Sequence, residues 1–340
     1  MYKIDSYLIP LDEVLSILSR LKAKSIFLEA PPGVRDLAFM LSSLIEDNVD
    51  VSIYHSGRFT WGFCDVGIND AKLLGVDAIL HVGHVNPLRY CSGRGVHIEN
   101  ISSIPVIYMP FYYNIEAPED AITDVCRVLS KYVYVAYPVN YEITALQILK
   151  HLPRDVSYEA NVMTGCYINA MDKLDMYDQI LVVAGGFFHA LTFKILNSNL
   201  KVLNYDPHRG KLYDVENYFR RIYALKVDSI RKCLNAKSFA IILVNKPGQY
   251  NLKLARDVKK LLQENNFKSI IVCTDEVSNN LISLYPNIDV FINTGCPRLA
   301  FDNIDQYEKP LINPGEVKTI ITGRLNSYSL KLLLNNSITI

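Results

Sequence analysis

One pattern recurs three times along this chain and constrains its fold more than any other feature. An apolar run leads through a proline-containing turn into a helical periodicity in "KSIFLEAPPGVRDLAFMLSSLIE", "YVYVAYPVNYEITALQILKHL" and "FAIILVNKPGQYNLKLARDVKKLLQ". Each is followed by a second β-rich run, "VDVSIYHSG", "DVSYEANVMTG" and "KSIIVCTDE", and then by a third of shared form, "VDAILHVGH", "YDQILVVAGG" and "IDVFINTGC". Counted from the aspartates that open these third runs, Asp77, Asp178 and Asp289, the position seven residues on is His84, Gly185 and Cys296. A fourth short run closes each copy: "IPVIYMPFY", "LKVLNYDPH" and "KPLINPGE". Copies of about 100 residues are longer than solenoid repeats and match small domains. Strands alternating with helices predict an α/β protein: three similar small parallel-sheet, Rossmann-like domains with right-handed crossovers, gathered around a pseudo-threefold centre. The expected spans are 1–115, 116–214 and 215–340, the last opening with an amphipathic connecting helix in "LYDVENYFRRIYALKVDSIRKCLNA".

Composition narrows the function. Thirty-five Lys and Arg balance thirty-five Asp and Glu, so no overall field favours nucleic acid or an anionic membrane. The N-terminal residues scatter charges through their apolar positions, unlike a secretory leader, and no apolar run reaches the roughly 18 residues of a membrane span. The expectation is a cytoplasmic protein with no direct nucleic-acid or membrane partner. Seven cysteines without a CxxC argue against a disulfide framework or a zinc ribbon.

Those cysteines divide by setting. Cys126, Cys233 and Cys273 lie inside helix or strand patterns, where cysteine behaves as a small buried hydrophobe. Cys91, in "LRYCSGRG", sits in a loop with no counterpart in the other copies. Cys64, Cys166 and Cys296 each follow a glycine directly or by two residues after a strand. That is the edge where open parallel sheets bind ligands. Glycine there lets backbone approach a bulky ligand and its sulfur. One such cysteine per copy points to a shared metal centre, and three thiolates suit an iron-sulfur cluster with one iron left open better than a four-ligand structural zinc site.

With these residues in hand, the chain resembles the diphthamide-biosynthesis enzymes that make 2-(3-amino-3-carboxypropyl)histidine on translation elongation factor 2, in their archaeal single-chain form. The resemblance covers nearly the whole chain through "TWGFCDVGINDAKLLGVDAILHVGH", "GGFFH", "YDPHRG", "KPGQ", "VFINTGCPRLAFDN" and "EKPLINPGE". It implies a homodimer and a 4Fe-4S cluster on one cysteine per domain, matching Cys64, Cys166 and Cys296. It also implies S-adenosylmethionine as co-substrate, a separate electron donor, and radical cleavage at the γ-carbon. The products would be methylthioadenosine and a 3-amino-3-carboxypropyl group joined to carbon 2 of a histidine. The chain departs from the family pattern at Val85, usually Ser, and at "NVMTGC", where Gln and Leu commonly precede Gly-Cys.

Candidate cofactor-binding residues at the same edges are His84, Gly185, Gly186, His189, Gln249 and Arg298. Arg298 has two readings, a fork for the methionyl carboxylate or an ordinary inter-domain ion pair. Asp206 is read as either a site residue or a turn residue. Two rival functions are a quinolinate-synthase-like 4Fe-4S dehydratase and a non-catalytic iron-sulfur partner subunit.

Overall fold

The computed structural model describes residues 1–334 except Arg94, Ala170 and Asn303, so residues 335–340 of the expected third span lie outside the described residues. Three sheets share one plan. The first orders its strands Ser52–His55, Ser25–Glu29, Ala78–Val82, Ile104–Met109 and His97–Ile101. The second runs Ser157–Val162, Tyr132–Tyr137, Gln179–Val183, Val202–Asp206 and Lys211–Asp214, and the third Lys268–Thr274, Ser238–Val244, Val290–Asn293 and Leu311–Ile312. In terms of the four recurrent runs, the order each time is second, first, third, fourth. The first run pairs in parallel with both the second and the third in every sheet. The α/β class read from the sequence is the class observed, with parallel pairing among the recurrent runs; the edge strand His97–Ile101 of the first sheet, which pairs antiparallel with Ile104–Met109, departs from the parallel expectation.

The repeated aspartate has a structural cause. Asp77 Oδ2 accepts from the amides of Lys24 and Ser25 at 2.7 and 2.9 Å, and Asp289 Oδ2 from those of Lys237 and Ser238 at 2.8 and 2.9 Å. Asp178 Oδ2 accepts from Tyr132 N at 3.1 Å. Each carboxylate ties the start of the third strand to the start of the first, which fixes their register. Strand rise then carries the chain out of the sheet roughly 20 Å further on, where His84, Gly185 and Cys296 stand. The backbone donors hold the carboxyls of Asp77 and Asp289 below the usual aspartate range.

Helices follow the first strands at Arg35–Glu46, Glu142–Lys150 and Leu252–Glu264. In the last, Leu254, Val258 and Leu262 recur every four residues as one buried stripe, and the Asn251 side chain caps the helix by accepting from Leu254 N at 3.0 Å. The predicted connecting helix spans Glu216–Cys233 and buries Phe219, Ile222, Lys226 and Ile230.

Packing divides the chain into two compact units, residues 1–189 with 203–213, and residues 190–202 with 214–340. Within the first unit, side chains link the first two sheets. Tyr90 Oη donates to Glu142 Oε2 at 2.7 Å and lies 2.8 Å from Tyr112 Oη, while Tyr113 stacks on Tyr141 with ring centres 5.0 Å apart. The alternation of strands and helices did not anticipate a small antiparallel sheet of Tyr2–Ile4, Tyr7–Ile9 and Tyr112–Tyr113. Strands of two and three residues carry too few positions for a period of two to show.

Candidate functional site

Cys64 lies half-buried in the loop between strand Ser52–His55 and helix Ile68–Leu74. Buried groups beneath hold the loop. Gly67 N donates to Glu29 Oε1 at 2.6 Å, Trp61 N to Asp65 Oδ2 at 3.2 Å, and Tyr108 Oη to the carbonyl of Phe63 at 3.3 Å. A methyl on Gly67 would lie 2.5 Å from Glu29 Oε1 and 2.8 Å from the Phe27 ring, so only glycine permits this approach. From the other carboxylate oxygen a chain of rings runs outward: Glu29 Oε2 to His81 Nδ1, 3.0 Å, and His81 Nε2 to His84 Nδ1, 3.1 Å. Burial pushes Glu29 up to about 8 and His81 down to about 4, and burial with the adjacent His81 ring pushes His84 down to about 3. All three therefore favour their neutral forms.

Cys166 is half-buried in the turn after strand Ser157–Val162. The loop is shaped by Met163 N donating to Tyr137 O at 2.9 Å and Thr164 N to Tyr167 O at 3.1 Å, and a side chain on Gly165 would collide with the Phe188 ring. At the same end of that sheet Gly186 has φ +65° and donates its amide to Asp206 Oδ2 at 3.2 Å. Asp206 Oδ1 accepts from His208 N at 3.0 Å, and His208 Nε2 lies 3.0 Å from Tyr141 Oη. Gly185 packs so closely that a methyl would stand 2.5 Å from Tyr141 Oη and 3.1 Å from the His208 ring. Asp206 is thus a buried brace for the glycine pair. His189 is half-buried in the first turn of helix Phe188–Leu196.

Cys296 is half-buried beyond strand Val290–Asn293, and its loop is braced by two asparagines and a buried ion pair. Asn293 Oδ1 accepts from Gly295 N at 3.0 Å, and its Nδ2 donates to the carbonyl of Cys296 at 2.7 Å. Asn313 Nδ2 donates to the carbonyl of Pro297 at 2.7 Å, and Asn313 N to Glu316 Oε2 at 2.8 Å. Glu316 in turn pairs with Lys226 at 2.9 Å, both side chains without exposure, and accepts from Tyr328 Oη at 2.7 Å. Lys226 Nζ also donates to the carbonyl of Ala300 at 3.0 Å. The run "KPLINPGE" thus supplies the scaffold of the cysteine loop.

Arg298 is buried, with Nε and Nη2 on the two oxygens of Asp302 at 2.9 and 2.6 Å and Nη1 on Thr192 Oγ1 at 3.0 Å. Its fork faces a carboxylate four residues away on its own segment. Gln249 is half-buried beyond strand Ser238–Val244, the neighbour of the Cys296 strand.

The remaining cysteines differ in part from expectation. Cys233 is buried, with Sγ donating to Ser229 O at 3.1 Å, and burial pushes its thiol up to about 12. Cys126 is half-buried, whereas Cys273 is exposed. The reason is position: strand Lys268–Thr274 forms the edge of its sheet, so the apolar run gains no cover at Cys273. Cys91 is exposed too.

Sequence reading passed over Glu29, His81, Tyr141, His208, Asn293, Asn313, Glu316 and Lys226. A carboxylate ending an apolar strand and a lysine among the buried positions of a helix were the available signals. Among the described residues no three His, Cys, Asp or Glu side chains converge on one point as single-ion ligands do. Thiolates of a four-iron cluster bind different irons and need not converge. Taken one at a time, each of the three loops offers what a ligand of such a group needs: a half-buried cysteine at a ligand edge beside a glycine.

Residues 30–329 match the family described as "Putative diphthamide synthesis protein". The 2-(3-amino-3-carboxypropyl)histidine synthase of Pyrococcus horikoshii is 26% identical over 343 aligned positions, covering 96% of this chain and 94% of that protein. The enzyme of the same name from Methanocaldococcus jannaschii is 26% identical, covering 92% and 88%. The crystal structure of Dph2 from Pyrococcus horikoshii with a 4Fe-4S cluster superposes with a TM-score of 0.80 at 23% identity, over 95% of this chain and 93% of that one. With its family-wide match and its shared fold, this chain belongs to the diphthamide synthesis protein family.

Proposed function

We propose that this protein transfers the 3-amino-3-carboxypropyl group of S-adenosylmethionine to a histidine of translation elongation factor 2, releasing methylthioadenosine, and that Cys64, Cys166 and Cys296 hold the 4Fe-4S cluster this requires. The observation that carries the reading is the recurrence of one half-buried, glycine-flanked cysteine at the ligand edge of each of three sheets whose four recurrent strands share one order. The names of the archaeal relatives support it. A cluster on three thiolates supplies one low-potential electron beside an iron without a protein ligand.

The chain's own residues supply position. The glycine pair Gly185–Gly186, held by Asp206, and the neighbouring His189 offer an edge to which the adenosine or amino-acid portion can come close; His84 and Gln249 border the corresponding edges of the other two sheets. Arg298 is assigned a different part. With Asp302 on its fork it braces the segment after Cys296, and the methionyl carboxylate is met by other donors. Orientation selects which of three carbon-sulfur bonds breaks. Homodimerisation, a separate electron donor and a cytoplasmic setting belong to the same proposal, as does the division into three domains at 1–115, 116–214 and 215–340.

The test is anaerobic reconstitution with iron and sulfide, followed by reductant and S-adenosylmethionine with and without the elongation factor. Methylthioadenosine is the expected nucleoside; 5′-deoxyadenosine would refute the bond assignment, and no nucleoside product would favour a non-catalytic subunit. Nothing in the fold favours a quinolinate-synthase-like dehydratase, and the family match speaks against it.

A further inference from the structure

Three titratable side chains joined beneath and beside the Cys64 loop lie outside the proposed ligand set. Glu29, His81 and His84 are joined end to end at 3.0 and 3.1 Å. Glu29 and His81 are buried, and His84 is partly exposed; among the described residues its one hydrogen bond is through Nδ1. The chain therefore has an inner end, the carboxyl, and an outer end, His84 Nε2. The outer end stands at the ligand edge of the first sheet. The inner end is fixed to the loop of Cys64 through Gly67 N at 2.6 Å.

Two arrangements of protons satisfy both contacts. With Glu29 ionised, His81 Nδ1–H donates to the carboxylate, His84 Nδ1–H donates to His81 Nε2, and His84 Nε2 presents a lone pair. With Glu29 protonated, its O–H donates to His81 Nδ1, His81 Nε2–H donates to His84 Nδ1, and His84 Nε2 carries the outward hydrogen. A proton arriving at His84 Nε2 converts the first arrangement to the second by two shifts along existing hydrogen bonds. Neither imidazole is left charged.

We propose that Glu29, His81 and His84 form a proton relay that takes the proton lost from carbon 2 of the substrate imidazole at His84 Nε2 and stores it on Glu29. The proposal rests on the transfer reading above. Addition of the aminocarboxypropyl radical forms the new carbon-carbon bond and leaves carbon 2 bearing its hydrogen. Recovery of the aromatic ring breaks that C–H bond and releases one proton, to His84, and one electron, to a one-electron acceptor of the class the three cysteines are proposed to hold. Burial suits the chain to the task, because it disfavours an imidazolium at either ring and raises the carboxyl to about 8, so Glu29 takes the proton in preference to either ring, and the chain stands in its accepting arrangement once pH rises above that value and Glu29 is ionised. The charged and titratable groups around the relay are Arg58, Asp65 and Asp70 from the Cys64 loop and its helix, Tyr108 from the next strand with its ring 5.2 Å from His81, and His97 stacked on Tyr108 at 4.7 Å with Glu99 beside it at 3.5 Å.

The test uses the full-length metal-free protein labelled with ¹⁵N-histidine, in which ring nitrogens with and without hydrogen are resolved by NMR. As pH rises through about 8, where Glu29 loses its proton, His81 should pass from its Nε2–H to its Nδ1–H tautomer, and His84 from Nε2–H to Nδ1–H. In a Glu29→Gln variant the amide donates permanently to His81 Nδ1, so both rings should stay in the Nε2–H form across that range. Tautomers that do not change in the parent, or that change equally in the variant, overturn the relay. In reconstituted protein assayed above about pH 8, where Glu29 is ionised, the ratio of modified histidine to methylthioadenosine should fall about 10²-fold in His84→Ala, the order of a positioned base; an unaltered ratio overturns the assignment of His84 as the acceptor. A parent that makes no methylthioadenosine refutes the transfer reading and the proton's source with it, while the NMR result decides the relay itself.

Discussion

The Lys226–Glu316 pair offers the sharpest test of how the Cys296 loop is held. Lys226→Met preserves most of the side-chain length and apolar packing but removes the ammonium. Among the described residues Glu316 then keeps two neutral donors, Tyr328 Oη and Asn313 N, for a carboxylate without exposure. Breaking a buried pair from one side costs about 3–5 kcal/mol, most of it the penalty of the stranded charge. The double variant Lys226→Met with Glu316→Gln removes that charge, and its carbonyl can still accept from Tyr328, so about 2–3 kcal/mol should return. The loss should appear locally as faster amide exchange at Phe291 and Ile292, whose strand leads into the loop. Fluorescence of Trp61, the sole tryptophan, would report on the other compact unit. Hydrogen exchange by mass spectrometry over strand Val290–Asn293 is therefore the assay. A single variant that loses less than about 1 kcal/mol of local protection, or a double variant as unstable as the sum of its parts, would refute the argument that the pair matters through charge burial.

Replacing Cys64, Cys166 or Cys296 by Ala should abolish the visible absorption of the reconstituted protein, whereas exposed Cys273 should be replaceable; full iron content in Cys296→Ala would sink the ligand assignment. Gly185→Ala places a methyl 2.5 Å from Tyr141 Oη, so it should cost about 1–3 kcal/mol in overpacking and weaken S-adenosylmethionine binding measured by calorimetry. Asp289→Asn should lower stability at neutral pH by about 0.5–1 kcal/mol, since the carboxylate is solvent-screened, and should flatten the acid limb of the unfolding curve. The sign follows from its depressed pKa: the contribution is present above the ordinary aspartate range and disappears as pH falls through the folded value, and an amide has none to lose.

The α/β class, the threefold recurrence of the strand-helix plan and the three cysteine positions are properties of sequence alone, because strand and helix periodicities are local and the Asp77, Asp178 and Asp289 pins sit at a constant offset from the strand ends; the order of the strands within each sheet is tertiary. Glycines 67, 165, 185 and 295 were legible only as glycines; which atoms press on them is set by side chains far away in the chain, such as Glu29 against Gly67 and Val244 against Gly295. The same holds for polar partners. Glu29 meets His81 across 52 positions and Lys226 meets Glu316 across 90, and no local pattern encodes such pairs. Arg298 shows the limit most plainly. Its charge and place beside Cys296 left two readings open, a fork for a substrate carboxylate and an ordinary ion pair, and which atoms its fork meets within the fold, Asp302 and Thr192, was visible only in the tertiary structure. Sequence determines which groups stand at the sheet edges because strand register is local; tertiary packing decides which of them remain available for chemistry, because a buried charge must first satisfy itself.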